Sequence, residues 1–366
     1  MPIYMDRHEL SQVTAEDVAN VHQEDLKIQD QFGCRGLTYW FDEKRGTAFC
    51  LIEAPEEGAV KDMHNKAHGM IPNDIIEVDA KLVNAFLGRM ENPSSINDDA
   101  ENVIIREPGL RTIVISCAED FTLLKAKAGN EKALSLLKSY NQTIHFLSEE
   151  YEGREVNSVP DCYQLSFQKA GFALSFAKEL QKQFSSSKNN SEFKISIGIS
   201  TGDPVNQSPE LFGQTVLLAK RLSQVVSPGH TMISAETMDQ LSSDWTQELP
   251  RDNVTVLNRD SERFINKLMD IIDSMWDKTE FSIHEFERKL TMSKAQLYRR
   301  ITTICHLSPN DFIKEFRLKK ALEALSKKNG NVSEIAYSCG FNSPSYFSKC
   351  FFERFGILPS SLARKE

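Results

Sequence analysis

Apolar and polar positions follow three different patterns along the chain. In the first ninety residues short apolar runs alternate with amphipathic stretches. Ile3-Tyr4-Met5 predicts a brief strand, and Thr14-Ala15-Glu16 opens a helix with the threonine as its cap. Residues 37–41 and 47–52 are aromatic and β-branched runs joined by Asp42-Glu43-Lys44-Arg45-Gly46, a hairpin signal. Residues 56–68 predict a helix and 75–78 a closing strand. The order βαββαβ predicts a ferredoxin-like α+β sandwich over 1–92. From 110 to 250 the pattern is mixed again: Thr112-Ile113-Val114-Ile115-Ser116 is a buried-type strand, 130–151 and 171–184 are helical, and 193–199 alternates with period two. From Phe264 onward the pattern is almost wholly helical, with Phe264, Ile265, Leu268, Met269, Ile271, Ile272 and Met275 on a 3.6-residue period. The fold class expected is therefore multidomain: two ferredoxin-like α+β domains, 1–92 and 110–250, then an all-α domain at 262–366.

Polar stretches mark the joints. Residues 91–99 and 250–253, with Asn258-Arg259-Asp260, read as linkers, and the serine-rich run 185–191 as a loop inside the middle domain. No segment repeats at a short fixed period, which excludes a solenoid.

Charge changes the picture once it is divided. The whole chain carries −9, which argues against a polyanionic partner. Residues 262–366, however, hold 18 Lys and Arg against 13 Asp and Glu, whereas residues 1–261 hold 25 against 39. A basic block on an acidic body is the signature of an attached nucleic-acid-binding module. The longest uncharged apolar runs fall far short of the ~20 residues of a membrane span. The start, Met1-Pro2-Ile3-Tyr4-Met5-Asp6-Arg7-His8, lacks the pattern of a signal peptide. Seven cysteines without a CxxC pair fit a reducing compartment, so the expected location is the cytoplasm and no membrane partner is expected.

Two helix-turn-helix units stand out in the basic block. Residues 283–290 form a short amphipathic helix, Thr291-Met292 turns the chain, and Ser293 caps a second helix over 294–305. That helix buries Leu297 and Ile301 and presents Lys294, Gln296, Arg299 and Arg300. The pattern recurs: a helix from Val332 is stopped by Gly340, and Phe341-Asn342-Ser343-Pro344 starts another, with Phe347 and Phe351 inward and Ser345, Ser348 and Lys349 outward. The run 335–351, with 355–360 beyond it and 293–299 upstream, resembles the AraC-type signature over roughly 105 residues. The resemblance implies a bipartite domain whose two recognition helices enter successive major-groove faces of double-stranded DNA, held apart by a long helix at 309–326. Its implied DNA contacts are Ser293, Lys294, Gln296, Arg299 and Arg300 in the first unit and Asn342, Ser343, Ser345, Ser348 and Lys349 in the second. Arg reads guanine with two bonds and Gln reads adenine. Phe352-Glu353-Arg354 departs from the more basic pair usual there, which places the stronger grip in the first unit. RNA polymerase is a further partner expected of such a regulator.

The middle segment resembles class III nucleotide cyclases over about 140 residues, through Asp120-Phe121-Thr122, residues 156–167, Ile197-Gly198-Ile199-Ser200-Thr201-Gly202-Asp203, residues 212–222 and residues 228–234. Cyclisation needs two carboxylates for two divalent ions. Asp161 falls on one such position, but Cys117 falls on the other, and magnesium prefers hard oxygen ligands. Asn157 stands where the family carries a base-selecting lysine, and Leu217 where it has a ribose-orienting asparagine. Arg221 alone remains of the transition-state residues. The expectation is a domain without enzymatic activity, with Asp161 and Arg221 as a vestigial nucleotide site. The family's active site lies between two subunits, so the resemblance also implies a homodimer.

Six of the eight histidines precede the basic block, four of them within the first 68 residues. His64 and His68 are four apart on one predicted helix, and His22 and Asp25 three apart on the other, so each pair shares a face. With His8 after the first strand they form a nitrogen and oxygen set for nickel, zinc or copper. The segment resembles a small ferredoxin-like family described as nickel-binding, through Phe49-Cys50-Leu51-Ile52-Glu53-Ala54-Pro55 and His64-Asn65-Lys66-Ala67-His68-Gly69. Cys50, mid-strand, reads as core. Together these readings point to a cytoplasmic, sequence-specific transcriptional regulator whose first domain senses a metal or small molecule. The alternatives are an N-terminal metalloenzyme with an autoregulatory DNA-binding domain and a residual nucleotide-binding cyclase-like sensor.

Overall fold

A computed structural model describes residues 1–93, 103–185, 193–242 and 253–363. The linker expected at 91–99 and that at 250–253 lie partly outside these residues, as does the loop expected at 185–191.

The first domain runs β1 (Ile3–Glu9), α1 (Ala15–Ile28), β2 (Arg35–Asp42), β3 (Thr47–Glu53), α2 (Glu57–Ala67) and β4 (Asp74–Val78). Thr14 caps α1 through a reciprocal box with Asp17, as the sequence predicted. The sheet order is β2-β3-β1-β4, with every pairing antiparallel, the order of a βαββαβ sandwich. Strand β1 is longer than the Ile3–Met5 run suggested: it continues through Asp6-Arg7-His8-Glu9. Those four polar residues lie beyond the apolar run, and within the strand Asp6 and His8 point under the helices while Arg7 points to the opposite face.

The middle domain repeats the same path. β5 (Arg111–Cys117), α4 (Phe121–Ala128), α5 (Asn130–Glu150), β6 (Arg154–Val159), β7 (Cys162–Phe167), α6 (Ala170–Ser185) and β8 (Ser196–Gly202) give the order β8-β5-β7-β6. After α7 (Gly213–Val225), strand β9 (Thr231–Ile233) joins β8 in parallel, α8 (Ala235–Asp239) follows, and β10 (Val254–Val256) extends the edge past the boundary expected at 250. Val114 on β5 faces the helices, and Ser116 hydrogen-bonds Tyr140 of α5. Ile113, Ile115 and Cys117 face the other way.

That other way is the first domain. The face of the first sheet away from α1 and α2 packs, through Met5, Trp40, Phe49 and Leu51, against Ile113 and Ile115 of β5 and against Phe212, the N-cap of α7, which lies on the same face of the middle sheet. Helix α3 (Ala80–Leu87), which the sequence reading did not single out, is wedged into this layer. The buried Arg111 guanidinium donates to the carbonyls of Phe86 and Leu87 at the C-terminal end of α3, satisfying acceptors a helix end leaves free. At the rim Arg45 makes a forked contact with Asp203, 2.6 and 3.2 Å, and Arg7 donates to the Val205 carbonyl.

The third domain begins earlier than expected. Asn258 caps α9 (Arg259–Met275), so Arg259 and Asp260 are its first turn and not a linker. α10 (Ile283–Leu290) and α11 (Lys294–Cys305) form the first helix-turn-helix unit, α12 (Pro309–Ser326) is the spacer, and α13 (Val332–Ser338), α14 (Pro344–Phe355) and α15 (Pro359–Ala363) form the second. Gly340 stops α13 as predicted: it has φ +76°, and a Cβ there would meet the Trp276 carbonyl oxygen at 2.8 Å. One apolar cluster runs from Leu222 and Val225 of α7 through α9 to Leu297 and Ile301 of α11. Leu123 of α4 joins the core of the second unit. Two sheet-containing α+β domains and a helical helix-turn-helix domain make up the architecture. Among the described residues no helix is long and apolar enough to cross a membrane.

Candidate functional site

Strand β1 and helices α1 and α2 carry six titratable side chains into one cluster. β1 supplies Asp6 and His8, α1 supplies His22 and Asp25, α2 supplies His64, and His68 is the C-cap of α2. All of the sequence-predicted metal residues, His8, His22, Asp25, His64 and His68, line one cavity of about 130 Å³. Val13, Val18, Val21 and Met70 form its apolar walls. Asp6 was missed, because a charged residue next to Arg7 carries no periodic signal when each faces a different polar partner.

His64 is the hub. Its Nε2 is 2.8 Å from Asp6 Oδ2, and its Nδ1 lies 3.1 Å from Asp25 Oδ1 and 3.2 Å from His68 Nε2. His68 Nε2 lies 3.1 Å from the same Asp25 oxygen. Asp6, wholly buried, also accepts the Cys50 backbone N–H at 2.9 Å. Within Asp6, His8 and His64, and again within Asp25, His64 and His68, one donor atom per residue lies within 4.8 Å of the others. His8 Nε2 stands 3.5 Å from Asp6 Oδ1 without a hydrogen bond, and His22 Nε2 also has none. The cluster thus holds two buried imidazole nitrogens without a hydrogen bond alongside two buried carboxylates.

Electrostatics tie the cluster together. Burial opposes a charge on His64, but hydrogen bonds and charge from Asp25 and Asp6 outweigh it and hold the imidazolium up to about 10. Burial alone would raise Asp6, yet His8 and His64 bring it far below the usual carboxylate range. Asp25 is likewise lowered, by His64 and His68 against its burial. His22 is shifted down, chiefly by burial, so its ring stays neutral and available as a ligand.

On the helix-turn-helix domain, Ser293 and Ser343 act as helix caps, accepting the N–H groups of Gln296 and Tyr346. Gln296 Oε1 closes the first capping box by accepting the Ser293 N–H at 3.0 Å, so that oxygen is not turned toward a base. Lys294, Arg299, Asn342, Ser345 and Lys349 are exposed, and Ser348 is half-buried. Arg300 departs from expectation. Its guanidinium lies over the Phe264 ring at 4.4 Å and pairs with Asp260, which fixes it to α9.

The two expected nucleotide residues have different surroundings. Arg221 is buried and donates to Asn266 at 2.8 Å and to Asp270, both on α9. The Asp161 carboxyl is pushed up by its burial and by Asp120. Cys117 and Cys162, directly opposite each other on β5 and β7, are joined by a disulfide, so the seven cysteines are not all thiols.

Comparison with known proteins follows the same three-part division. Residues 4–78 match the family model described as nickel responsive protein SCO4226-like. Residues 110–265 match the adenylate and guanylate cyclase catalytic domain, and residues 287–365 the helix-turn-helix domain. Among curated proteins, the chain is 25% identical over 160 residues to the Msm operon regulatory protein of Streptococcus mutans, covering 44% of this chain and 57% of that one. It is 35% identical over 102 residues to the HTH-type transcriptional regulator MtrA of Neisseria gonorrhoeae, covering 27% of this chain and 34% of that one. A histidine kinase P4 of Formosa agariphila is 36% identical over 99 residues, covering 27% of this chain and 7% of that one. The chain thus spans well under two thirds of these relatives. Of solved structures, SCO4226 from Streptomyces coelicolor is 31% identical with a TM-score of 0.20, covering 21% of this chain and 94% of that one. The adenylyl cyclase CyaB from P. aeruginosa is 22% identical with a TM-score of 0.31, covering 36% and 79%.

Proposed function

We propose that this chain is a sequence-specific DNA-binding transcriptional regulator whose first domain holds a transition-metal ion. One observation carries the DNA-binding half: the match of residues 287–365 to the helix-turn-helix domain, on a block with 18 basic and 13 acidic residues. Exposed Lys294 and Arg299 in the first unit and Asn342, Ser345 and Lys349 in the second supply phosphate and base-edge contacts to double-stranded DNA. Arg300 belongs to the packing of α11 on α9 and is withdrawn from base reading. Selection of genomic fragments by the full chain tests this reading; recovery of sequences without a shared motif overturns it.

The metal half rests on the unpartnered Nε2 atoms of His8 and His22 beside Asp6 and Asp25. Imidazole and carboxylate donors suit nickel or zinc. The residues fit the group: either of two triads that share His64, Asp6 with His8 or Asp25 with His68, would hold it, with His22 lining the same cavity. A bound ion supplies a positive charge in place of the proton on His64. Metal analysis of the purified chain, beside His64→Ala and His68→Ala, is the test, with stoichiometric nickel or zinc in the wild type and loss in the variants expected. A metal-free wild type refutes both the sensor and the metalloenzyme reading.

The middle domain is a cyclase by likeness and, on this reading, not by activity. Cys117 replaces a metal carboxylate and Arg221 is engaged by α9. Absence of cyclic nucleotide from ATP or GTP is the expected assay result. Dimerisation remains part of the proposal, since paired half-sites follow from two-fold symmetry. The sheet face bearing Cys117 is covered by the first domain, so a second copy would use another surface.

A further inference from the structure

Five of the seven cysteines are buried: Cys34, Cys50, Cys305, Cys339 and Cys350. Burial pushes the thiols of Cys34, Cys50 and Cys339 up, and that of Cys305 to about 12, which makes them poor nucleophiles. Cys117 and Cys162 are the two that are only half-buried, and they are the two that are bonded. A disulfide in a reducing compartment is usually transient and tied to redox sensing. The position of this one matters. β5 ends at Cys117, the Ala118 N–H donates to the Asp161 carbonyl at 2.7 Å, and Asp120 accepts the Ser326 hydroxyl of α12 at 3.3 Å. Leu123, three residues further, is packed in the core of the second helix-turn-helix unit. Five residues therefore separate Cys117 from Leu123 and the core of the second helix-turn-helix unit.

We propose that Cys117 and Cys162 are a reversible oxidation site for hydroperoxides, and that their bond tethers the segment on which the second helix-turn-helix unit docks. The thiolate of one cysteine attacks a peroxide oxygen; the O–O bond breaks, a sulfenic acid forms, and one water leaves after protonation. The second thiol displaces the sulfenic hydroxyl, forming the S–S bond and releasing a second water. Two thiols lose two electrons and two protons, and hydrogen peroxide becomes two waters. An external dithiol returns the electrons by thiol–disulfide exchange.

The full chain, reduced with dithiothreitol, desalted and treated with hydrogen peroxide, is expected to fall from seven titratable thiols under denaturing conditions to five. Dithiothreitol should restore all seven, and peptide mapping should find one link, Cys117 to Cys162. Cys117→Ser and Cys162→Ser should each keep their six thiols under the same treatment. Hydrogen exchange over residues 118–128 should be slower in the oxidised chain. Seven retained thiols, a link between other cysteines, or equal exchange in the two states overturns the proposal; the wild-type measurements stand even where a variant fails to fold.

Discussion

The first and middle domains share one chain path and differ in what their central strands hold. β1 and β5 occupy the same place, each between the closing strand and the hairpin of a βαββαβ sheet. On the helix side, β1 carries Asp6 and His8 into a buried cluster with two unpartnered imidazole nitrogens, whereas β5 carries Thr112, Val114 and Ser116, with Val114 in the apolar core and both hydroxyls hydrogen-bonded. On the open side both strands are apolar where they meet, and the faces close on each other. A shared topology thus leaves one central strand with polar groups gathered at a cavity and the other with its hydroxyls satisfied beside an apolar core. Fold positions a site, and the side chains at a few strand positions decide whether one exists.

The sharpest way to break this comparison is to attack the shared layer. Phe49, 1% exposed, packs in the cluster common to both sheets. Phe49→Ala should cost about 3–5 kcal/mol, and calorimetry should show the first two domains melting together. Separate transitions would mean that the faces do not form one core. Next come the acids. Asp6→Ala removes the acceptor of His64 and of the Cys50 N–H, with an expected loss of about 3–5 kcal/mol for breaking a buried pair. Asp161→Asn, by contrast, should leave Tm equal or higher, because burial and Asp120 already disfavour its charge. A large loss at Asp161 would restore it as a working carboxylate.

Smaller effects separate the neighbouring arginines of α11. Arg299→Ala should weaken DNA binding by about 1–3 kcal/mol and relax preference at one base pair. Arg300→Ala should lower Tm, through loss of the Asp260 pair and the Phe264 contact, with base preference unchanged in fragment selection. The smallest effect expected is at the start of α12. Hydrogen bonds from Lys314 and Ser308 lower the Asp311 carboxyl below its ordinary value of 3.8. Its contribution is therefore complete above pH about 4 and lost as pH falls through the folded value. Asp311→Asn should remove that part of the acid dependence of unfolding.

The helical third of the molecule was legible almost to the residue. Lys294–Cys305 begins and ends where the serine cap and periodic apolar residues placed it, since capping and helical periodicity are local, and Pro309–Ser326 lies where the AraC-type resemblance implied a long helix. The histidine set was legible as two pairs on helix faces, but Asp6 was not, because β1 looked finished at Met5. Strand residues that alternate between a polar cavity and an ion-paired domain interface have no hydrophobic alternation to read.

The sequence by itself determined the three-domain order and the two helix-turn-helix units. Each depends on residue identity and on spacing within one element. Tertiary structure alone decided which polar groups are available. It turned Arg221 and Arg300 onto α9, brought Asp6 under His64 and set Cys117 against Cys162. Those outcomes depend on partners 40 to 58 residues away in the chain, whose proximity is fixed by packing and not by any local pattern.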